Sequence, residues 1–310
     1  MSLILKLVEK LFHEEILVIP KSTLKNLKLI IWDVDDSINK LNTPSLVELF
    51  FEEAENYSFK LKGLTEIEKE ISRTGNFNLL KKIEQKFKDA KITKEEMEEI
   101  GEKAASRFTF IDNFFEVVKV LDGMNYVQML CTGSLDVAVN PLSEVIGVKA
   151  ISSKTFYEND CLKNIEFNLG TKKLKNLKRT IQRYEEVVFV SDSDEEVFEE
   201  IYKNKKFGLY LSSKVNEKIL SFHPFIVELF NARKDAFEIY KKIIAYETLN
   251  LILNEGEEFL KEGFEMAEQL KRSFDIQIFQ KYVRSRSKLF AFNFPKNLKE
   301  NVRKLVLEYF

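Results

Sequence analysis

The stretch LKLIIWDVDDSINK, Leu27 to Lys40, decides how the rest of the chain is read. Leu29 to Trp32 are apolar or aromatic, and Asp33, Asp35 and Asp36 follow at once. Closely spaced carboxylates repel one another and resist leaving water, so a buried strand that ends in them needs compensation. A divalent cation is the obvious compensator. The plainer alternative is an acidic turn, with Asp36 and Ser37 as turn or capping residues.

Two further apolar runs end in a similar way. YVQMLC, Tyr126 to Cys131, runs into Thr132-Gly133-Ser134, and the run from Val187 to Ser191 meets Asp192 and an acidic helix start. Between these runs the spacing turns helical. From Pro44 to Phe108 a helical insertion is expected, with Thr65 to Glu68 and Thr93 to Glu96 both fitting the capping box. Helices are also expected over Asn113–Leu121, Leu135–Ile146 and Thr171–Arg183, the last with Leu174, Leu177 and Ile181 on one face. TFYENDCLKNIEFNLG, residues 155–170, reads as a small hairpin, and FGLYLS, residues 207–212, as one more strand. Strands alternating with helices predict a parallel sheet covered on both faces, where ligands gather beyond the strand carboxyl ends. Asp33, Thr132 and Asp192 all fall at such ends.

Composition sets the bounds. With 310 residues, 45% hydrophobic and 32% charged, the chain can build a real core and more than one domain. Its 48 basic residues against 50 acidic ones give a net charge of -2, so no global basic field draws in nucleic acid or anionic lipid. No apolar run reaches the roughly eighteen residues of a membrane span. Cys131 and Cys161 make no disulfide framework, and Lys6, Glu9 and Lys10 interrupt the apolar N-terminus, so a cytoplasmic chain is expected. Residues 2–14 read as an amphipathic helix, and Val215 to Phe310 as helices without a strand. His13 and His223 have no partners at metal-ligand spacing, and VRSRSK, Val283 to Lys288, reads as a solvated face.

Four segments, in order, resemble the motifs of the haloacid dehalogenase superfamily: Asp33-Val34-Asp35-Asp36-Ser37, Thr132-Gly133-Ser134, a lysine of Thr171-Lys172-Lys173, and Asp192 with Glu196. The resemblance spans residues 25–212. A helical insertion between the first two motifs is similar to the phosphoserine-phosphatase-like branch. The implied architecture is α/β: a Rossmann-like parallel-sheet core with helices on both faces, an inserted helical cap and an additional C-terminal all-helical region. The expected division is an N-terminal helix packing on the core over 1–20, the core over 21–40 and 113–214, the cap over 41–112, and the C-terminal helices over 215–310.

The resemblance also implies an activity, the Mg²⁺-dependent hydrolysis of a small phosphomonoester through an aspartyl-phosphate. Asp33 would be the nucleophile and Asp35 the acid/base. Asp35 lies two residues on, so strand alternation would send both side chains to one side. Thr132, Gly133 and Ser134 would cradle phosphate oxygens and Lys173 cancel remaining charge. Mg²⁺ would be held by Asp33, the Asp35 carbonyl and Asp192, with Glu196 behind them. Lys173 is preferred to Lys172 because Leu177 and Ile181 lie four and eight residues on. Glu196 stands where the family usually has aspartate, which leaves Asp194 as an alternative support for the metal and a capping box over Ser193 to Glu196 as a purely structural reading.

Two other functions compete. One is a catalytically degenerate binding or scaffold protein of the same fold; the other is a metal-dependent glycosyltransferase using Asp33-Val34-Asp35 as its DxD motif. The expected partners are a small phosphorylated metabolite and a second copy of the chain through the C-terminal helices, with no membrane and no nucleic acid. Arg73 and Arg107 are available to a substrate carboxylate, although a solvated role is the simpler reading of each.

Overall fold

The computed structural model describes residues 28–211, 216–222, 225–229, 234–240, 242 and 243. The expected N-terminal helix, most of the C-terminal helical region with its dimer surface, both histidines and the VRSRSK cluster lie outside the described residues.

The first strand, β1 (Lys28–Trp32), sits in the middle of the sheet between β2 (Tyr126–Leu135) and β5 (Glu186–Ser191). Both neighbours run parallel to it, and Trp32 pairs with Leu130 on one side and Val190 on the other. The next residues of all three strands therefore emerge at one level. Outside β2 lies β3 (Lys149–Glu158), and β4 (Cys161–Glu166) closes that edge as the antiparallel arm of a hairpin. Asn159 and Asp160 at its tip both have positive φ, 49° and 65°, as a two-residue type I′ turn requires. On the other side β5 is followed by β6 (Phe207–Tyr210) and β7 (Ile226–Glu228), both parallel.

β7 corrects the expectation of an all-helical segment after residue 215. Its three residues include the β-branched pair Ile226-Val227, and they pair with Gly208 to Tyr210. So short a run, lying among phenylalanines at helix-like intervals, carries almost no periodic signal of its own.

Period-two alternation divides the core. Ile30 and Trp32 of β1 join one apolar cluster, while Leu29 and Ile31 join another on the opposite face. The first cluster takes in α5 (Phe114–Gly123) and α6 (Asp136–Ile146); the second takes in α7 (Thr171–Arg183) and α8 (Glu195–Lys203). A short α9 (Glu217–Leu220) adds Ile219 to the second. This is a parallel sheet with helices on both faces, as the strand–helix alternation predicts.

Four helices are inserted between β1 and α5: α1 (Leu46–Tyr57), α2 (Leu64–Thr74), α3 (Leu80–Ala90) and α4 (Lys94–Arg107). Thr93 and Glu96 form the expected capping box on α4, but the box expected at Thr65 is absent, because α2 starts two residues earlier, with Gly63 as its N-cap. A reciprocal box instead starts α1, between Ser45 and Glu48. At Gly101, α4 crosses α6 so closely that an added Cβ would lie 2.1 Å from the Val137 carbonyl oxygen. The insertion is thereby seated against the core. No helix among the described residues is long and apolar enough to cross a membrane.

Candidate active site

The carboxyl ends of β1, β2 and β5 open into a cavity of about 540 Å³, which is also lined by α1, α2 and the start of α3. The in-register pairing explains the convergence. Asp33 donates its backbone N–H to the Val190 carbonyl at 2.9 Å, which extends the ladder one residue beyond β1 and fixes the height of its side chain. That side chain is almost fully buried. Its Oδ1 accepts from Lys173 Nζ at 3.0 Å and from the Val34 N–H at 2.9 Å, and its Oδ2 lies 2.8 Å from Ser191 Oγ.

Lys173, on the first turn of α7, is buried and pairs with both Asp33 and Asp194. Lys172 instead pairs with exposed Glu166 outside the cavity, so the structure separates the two candidate lysines. Asp194 precedes α8 with φ 66°, a left-handed conformation, and this turns its carboxylate to the lysine. The capping-box reading of Ser193 to Glu196 is therefore wrong: no side-chain cap bond forms there. Lys173 finds its second acid in Asp194, while Glu196 lines the cavity with a carboxylate oxygen near Gly170.

Ser191 Oγ lies between Asp33 Oδ2 and Asp194 Oδ2, at 2.8 and 3.0 Å. Its single proton can serve only one of them at a time. Asp192 follows, its backbone N–H donating to Ser37 Oγ at 3.0 Å. Ser37 is read in the sequence as a turn or capping residue and Ser191 as the end of a strand; their hydrogen bonds to the Asp192 N–H and to Asp33 and Asp194 are not foreseen there.

Asp35 differs most from expectation. β1 ends at Trp32, so strand alternation does not orient Asp35; it lies in the turn that follows. Its Oδ2 accepts from Thr132 Oγ1 at 2.9 Å and Ser134 Oγ at 2.7 Å, and its Oδ1 from the Val47 N–H at 3.1 Å, near the start of α1. Thr132 and Ser134 are two residues apart where the β2–β3 register shifts, and both hydroxyls reach one oxygen. The Ser134 N–H in turn donates to Thr132 Oγ1 at 3.0 Å. The predicted cradle thus holds a carboxylate of the protein itself. Gly133 lines the cavity, and a Cβ there would meet Leu169 Cδ2 at 2.3 Å.

The charge balance of the site is lopsided. Among the described residues lining the cavity, Lys173 is the one cation, set against the acids that follow β1 and β5. Burial, with Asp194 and Asp192 adding repulsion, outweighs Lys173 and holds the Asp33 carboxyl well above the ordinary range. Burial, Asp36 and Asp194 push Asp192 up to about 7. Burial also raises Asp35, against the opposing hydrogen bonds from Ser134, Val47 and Thr132. These raised acids mark a site short of positive charge.

A hard divalent ion fits such an all-oxygen donor set. Among the described residues no three acidic, histidine or cysteine side chains enclose an ion by themselves. That agrees with the habit of Mg²⁺, which takes one or two carboxylates and completes its shell with water and phosphate oxygens. Asp33 and Asp192 could supply the carboxylates.

The sequence matches no protein-family model and no curated protein. Solved structures do match. A substrate-bound phosphoserine phosphatase complex is 20% identical with a TM-score of 0.51, over 70% of this chain and 99% of that one. A phosphoserine phosphohydrolase-like protein from Francisella tularensis subsp. tularensis SCHU S4 is 19% identical with a TM-score of 0.51, over 70% and 100%. Cytosolic 5'-nucleotidase IIIB bound to cytidine is 15% identical with a TM-score of 0.50, over 73% and 88%. At these identities the likeness speaks for the fold alone: with its sheet order and inserted helices, this chain has the fold of these phosphoserine phosphatase structures.

Proposed function

We propose that the protein is a Mg²⁺-dependent phosphatase that hydrolyses a small phosphomonoester through an aspartyl-phosphate on Asp33. One observation carries the reading: a buried carboxylate, Asp33, is clamped by Lys173 and Ser191 on the floor of a cavity that a half-buried carboxylate, Asp35, also lines.

Asp33 attacks phosphorus and forms a carboxylate–phosphorus anhydride as the bond to the alcohol oxygen breaks. Its plane is fixed in advance by the Val34 N–H, Lys173 and Ser191, so little orientational freedom is left to lose. Asp35 gives its proton to the departing alkoxide and then takes one from the water that cleaves the anhydride. Burial favours the protonated acid that the first step needs, and Thr132, Ser134 and Val47 hold it in place. Thr132 and Ser134 thus serve first as positioning residues for Asp35, and the Gly133 amide remains the nearest backbone donor for phosphate. Lys173 offsets charge on Asp33 and the phosphoryl group, and Asp194 keeps the ammonium on station.

Bound Mg²⁺ would supply the positive charge that lets a phosphate dianion enter this acidic cavity and returns Asp33 to its ionised, nucleophilic form. Asp33, the Asp35 carbonyl and Asp192 are the residues assigned to hold it, with Asp194 rather than Glu196 behind them. The substrate is a small phosphorylated metabolite, as the cavity volume suits, and the compartment is the cytoplasm, where free cysteines such as Cys131 and Cys161 are ordinary.

With Mg²⁺ present, the full chain should turn over p-nitrophenyl phosphate, and Asp33→Asn should lower kcat on the order of 10⁴-fold or more. Acid quenching during turnover of radiolabelled substrate should trap label on the wild-type chain and none on the variant. Wild-type rates in Asp33→Asn would end the proposal. Tight binding of Mg²⁺ and phosphate analogues without turnover of any phosphomonoester would instead support the binding-protein reading.

A further inference from the structure

Away from its polar floor, the cavity keeps a lining of carbon that the protein leaves accessible. On the side of the inserted helices it is made by Ile71 of α2, Phe77 on the 3₁₀ turn Phe77–Leu79 and Leu80 at the start of α3. Ile71 and Leu80 are half-buried and Phe77 is exposed. Among the described residues, the polar side chains that these helices bring to the cavity are Glu68 and Ser72, and they answer each other: Ser72 Oγ donates to Glu68 at 2.6 Å, one turn away. Accessible apolar side chains gathered in a cleft, with polar groups at its floor, are the usual lining of a ligand site.

The core side supplies a matching surface through a firmly anchored segment. Asn168, between β4 and α7, is buried; its N–H donates to Ser153 Oγ and its Nδ2 to the Thr132 carbonyl, each at 2.9 Å, while its Oδ1 accepts from Asn176 Nδ2 at 2.9 Å. The segment is thereby tied to β2, β3 and α7 at once. The residues on either side of Asn168, Phe167 and Leu169, line the cavity and are half-buried. Leu169 lies against Gly133, whose amide the phosphatase reading gives to phosphate, so the carbon surface begins beside the phosphoryl position.

Resting on the phosphatase reading, we infer that the substrate is the phosphomonoester of an apolar alcohol, whose hydrocarbon chain leaves the floor past Leu169 and Phe167 and lies along Ile71, Leu80 and Phe77. The floor holds the phosphoryl group, and binding of the alcohol rests on removing its carbon and these five side chains from water together. Such an interaction has no preferred direction and grows with the area buried, so chain length, rather than any one polar group, governs selection.

n-Alkyl phosphates from ethyl to octyl test this on the full chain with Mg²⁺, because the reactivity of the ester bond is nearly constant along the series and only the buried carbon changes. kcat/KM should rise about two- to threefold per methylene, through KM, until the chain reaches the mouth of the cavity. Heptyl phosphate should exceed 2-(2-methoxyethoxy)ethyl phosphate, which has the same number of chain atoms, by about tenfold, since two ether oxygens must lose water there. In Leu169→Asn and in Ile71→Thr the gain per methylene should shrink, and this ratio does not depend on how much of the variant is folded. A flat series in the wild type, equal use of the heptyl and ether compounds, an undiminished gain in both variants, or turnover of p-nitrophenyl phosphate with none of the alkyl series would each overturn the inference while leaving the phosphatase reading intact. If neither the alkyl phosphates nor p-nitrophenyl phosphate is hydrolysed, the phosphatase reading falls, and calorimetry with non-hydrolysable n-alkylphosphonates decides the apolar site: affinity that rises by the same factor per methylene supports it, and affinity independent of length overturns it.

Discussion

The floor of the cavity and its helical wall are built on opposite principles. On the floor, Asp33 and Asp35 each have both oxygens engaged, by Lys173, Ser191 and the Val34 N–H in one case and by Thr132, Ser134 and the Val47 N–H in the other. On the wall, the described side chains other than Ser72 and Glu68 meet the cavity through carbon, and among them Glu68 alone brings charge. A fully partnered carboxylate is held to one geometry, which bond-making requires. An apolar wall with one charge constrains what fits without directing how it reacts. On the proposed phosphatase reading, chemistry and selection fall to separate parts of the chain, so substitutions on the two sides should alter different kinetic constants.

The strongest way to break the comparison is at Asp35. Asp35→Asn keeps the shape but removes the proton donor, and kcat should fall by about 10²- to 10⁴-fold with an alkyl phosphate. With p-nitrophenyl phosphate, whose leaving group needs no proton, the loss in phosphoryl transfer to Asp33 should be much smaller. Stopped-flow measurement of the phosphorylation step with both substrates checks this. Equal losses would show that the carboxyl group acts through structure and not by proton transfer.

A weaker perturbation sharpens the electrostatic side of the contrast. Asp192 is raised from 3.8 to about 7, and Asp33 is raised as well. The folded chain therefore binds more protons than the unfolded one between these values, and stability must fall as pH rises from about 4 to about 7. Partial solvent contact at Asp192 tempers the effect, so a loss on the order of 2 kcal/mol, or about 4–8 °C in Tm, is expected in metal-free buffer. Saturating Mg²⁺ should flatten the slope, since it stabilises the ionised acids. Thermal melts across this range with EDTA and with Mg²⁺ provide the measurement. A metal-free Tm that climbs with pH would contradict the assignment of excess buried negative charge.

The floor was legible in the sequence to a degree the wall was not. Three β-branched or apolar runs that end in Asp33, Thr132 and Asp192 place those residues at neighbouring strand ends by a rule of parallel sheets, and α7 occupies the range its apolar spacing indicates. What could not be read depends on tertiary geometry. Asp194 reaches Lys173 because of a left-handed backbone, which no local pattern announces. Asp35 is oriented by hydroxyls 97 and 99 residues away along the chain. Glu68 belongs to an acid-rich helix, and only the way α2 lies against the core distinguishes it from Glu66 and Glu70. β7 is too short for alternation to reveal.

The smallest expected effect is the one that most cleanly separates the two sides. Phe77 stands on the short 3₁₀ turn before α3, lines the cavity and is 54% exposed. A leaving group that lies against the ring removes part of that exposed apolar area from water. At 25 cal/mol per Å², covering about 40 Å² contributes about 1 kcal/mol, so Phe77→Ala should raise KM roughly fivefold for an apolar substrate. The ring touches the body of the substrate and not the reacting bond, so the contact is equally strong in ground and transition states, and kcat should change little. That pattern is the reverse of Asp35→Asn, which lowers kcat at nearly constant KM. If Phe77→Ala lowered kcat as much as it raised KM, the wall would be orienting the scissile bond, and the division between chemistry on the sheet ends and selection on the inserted helices would fail.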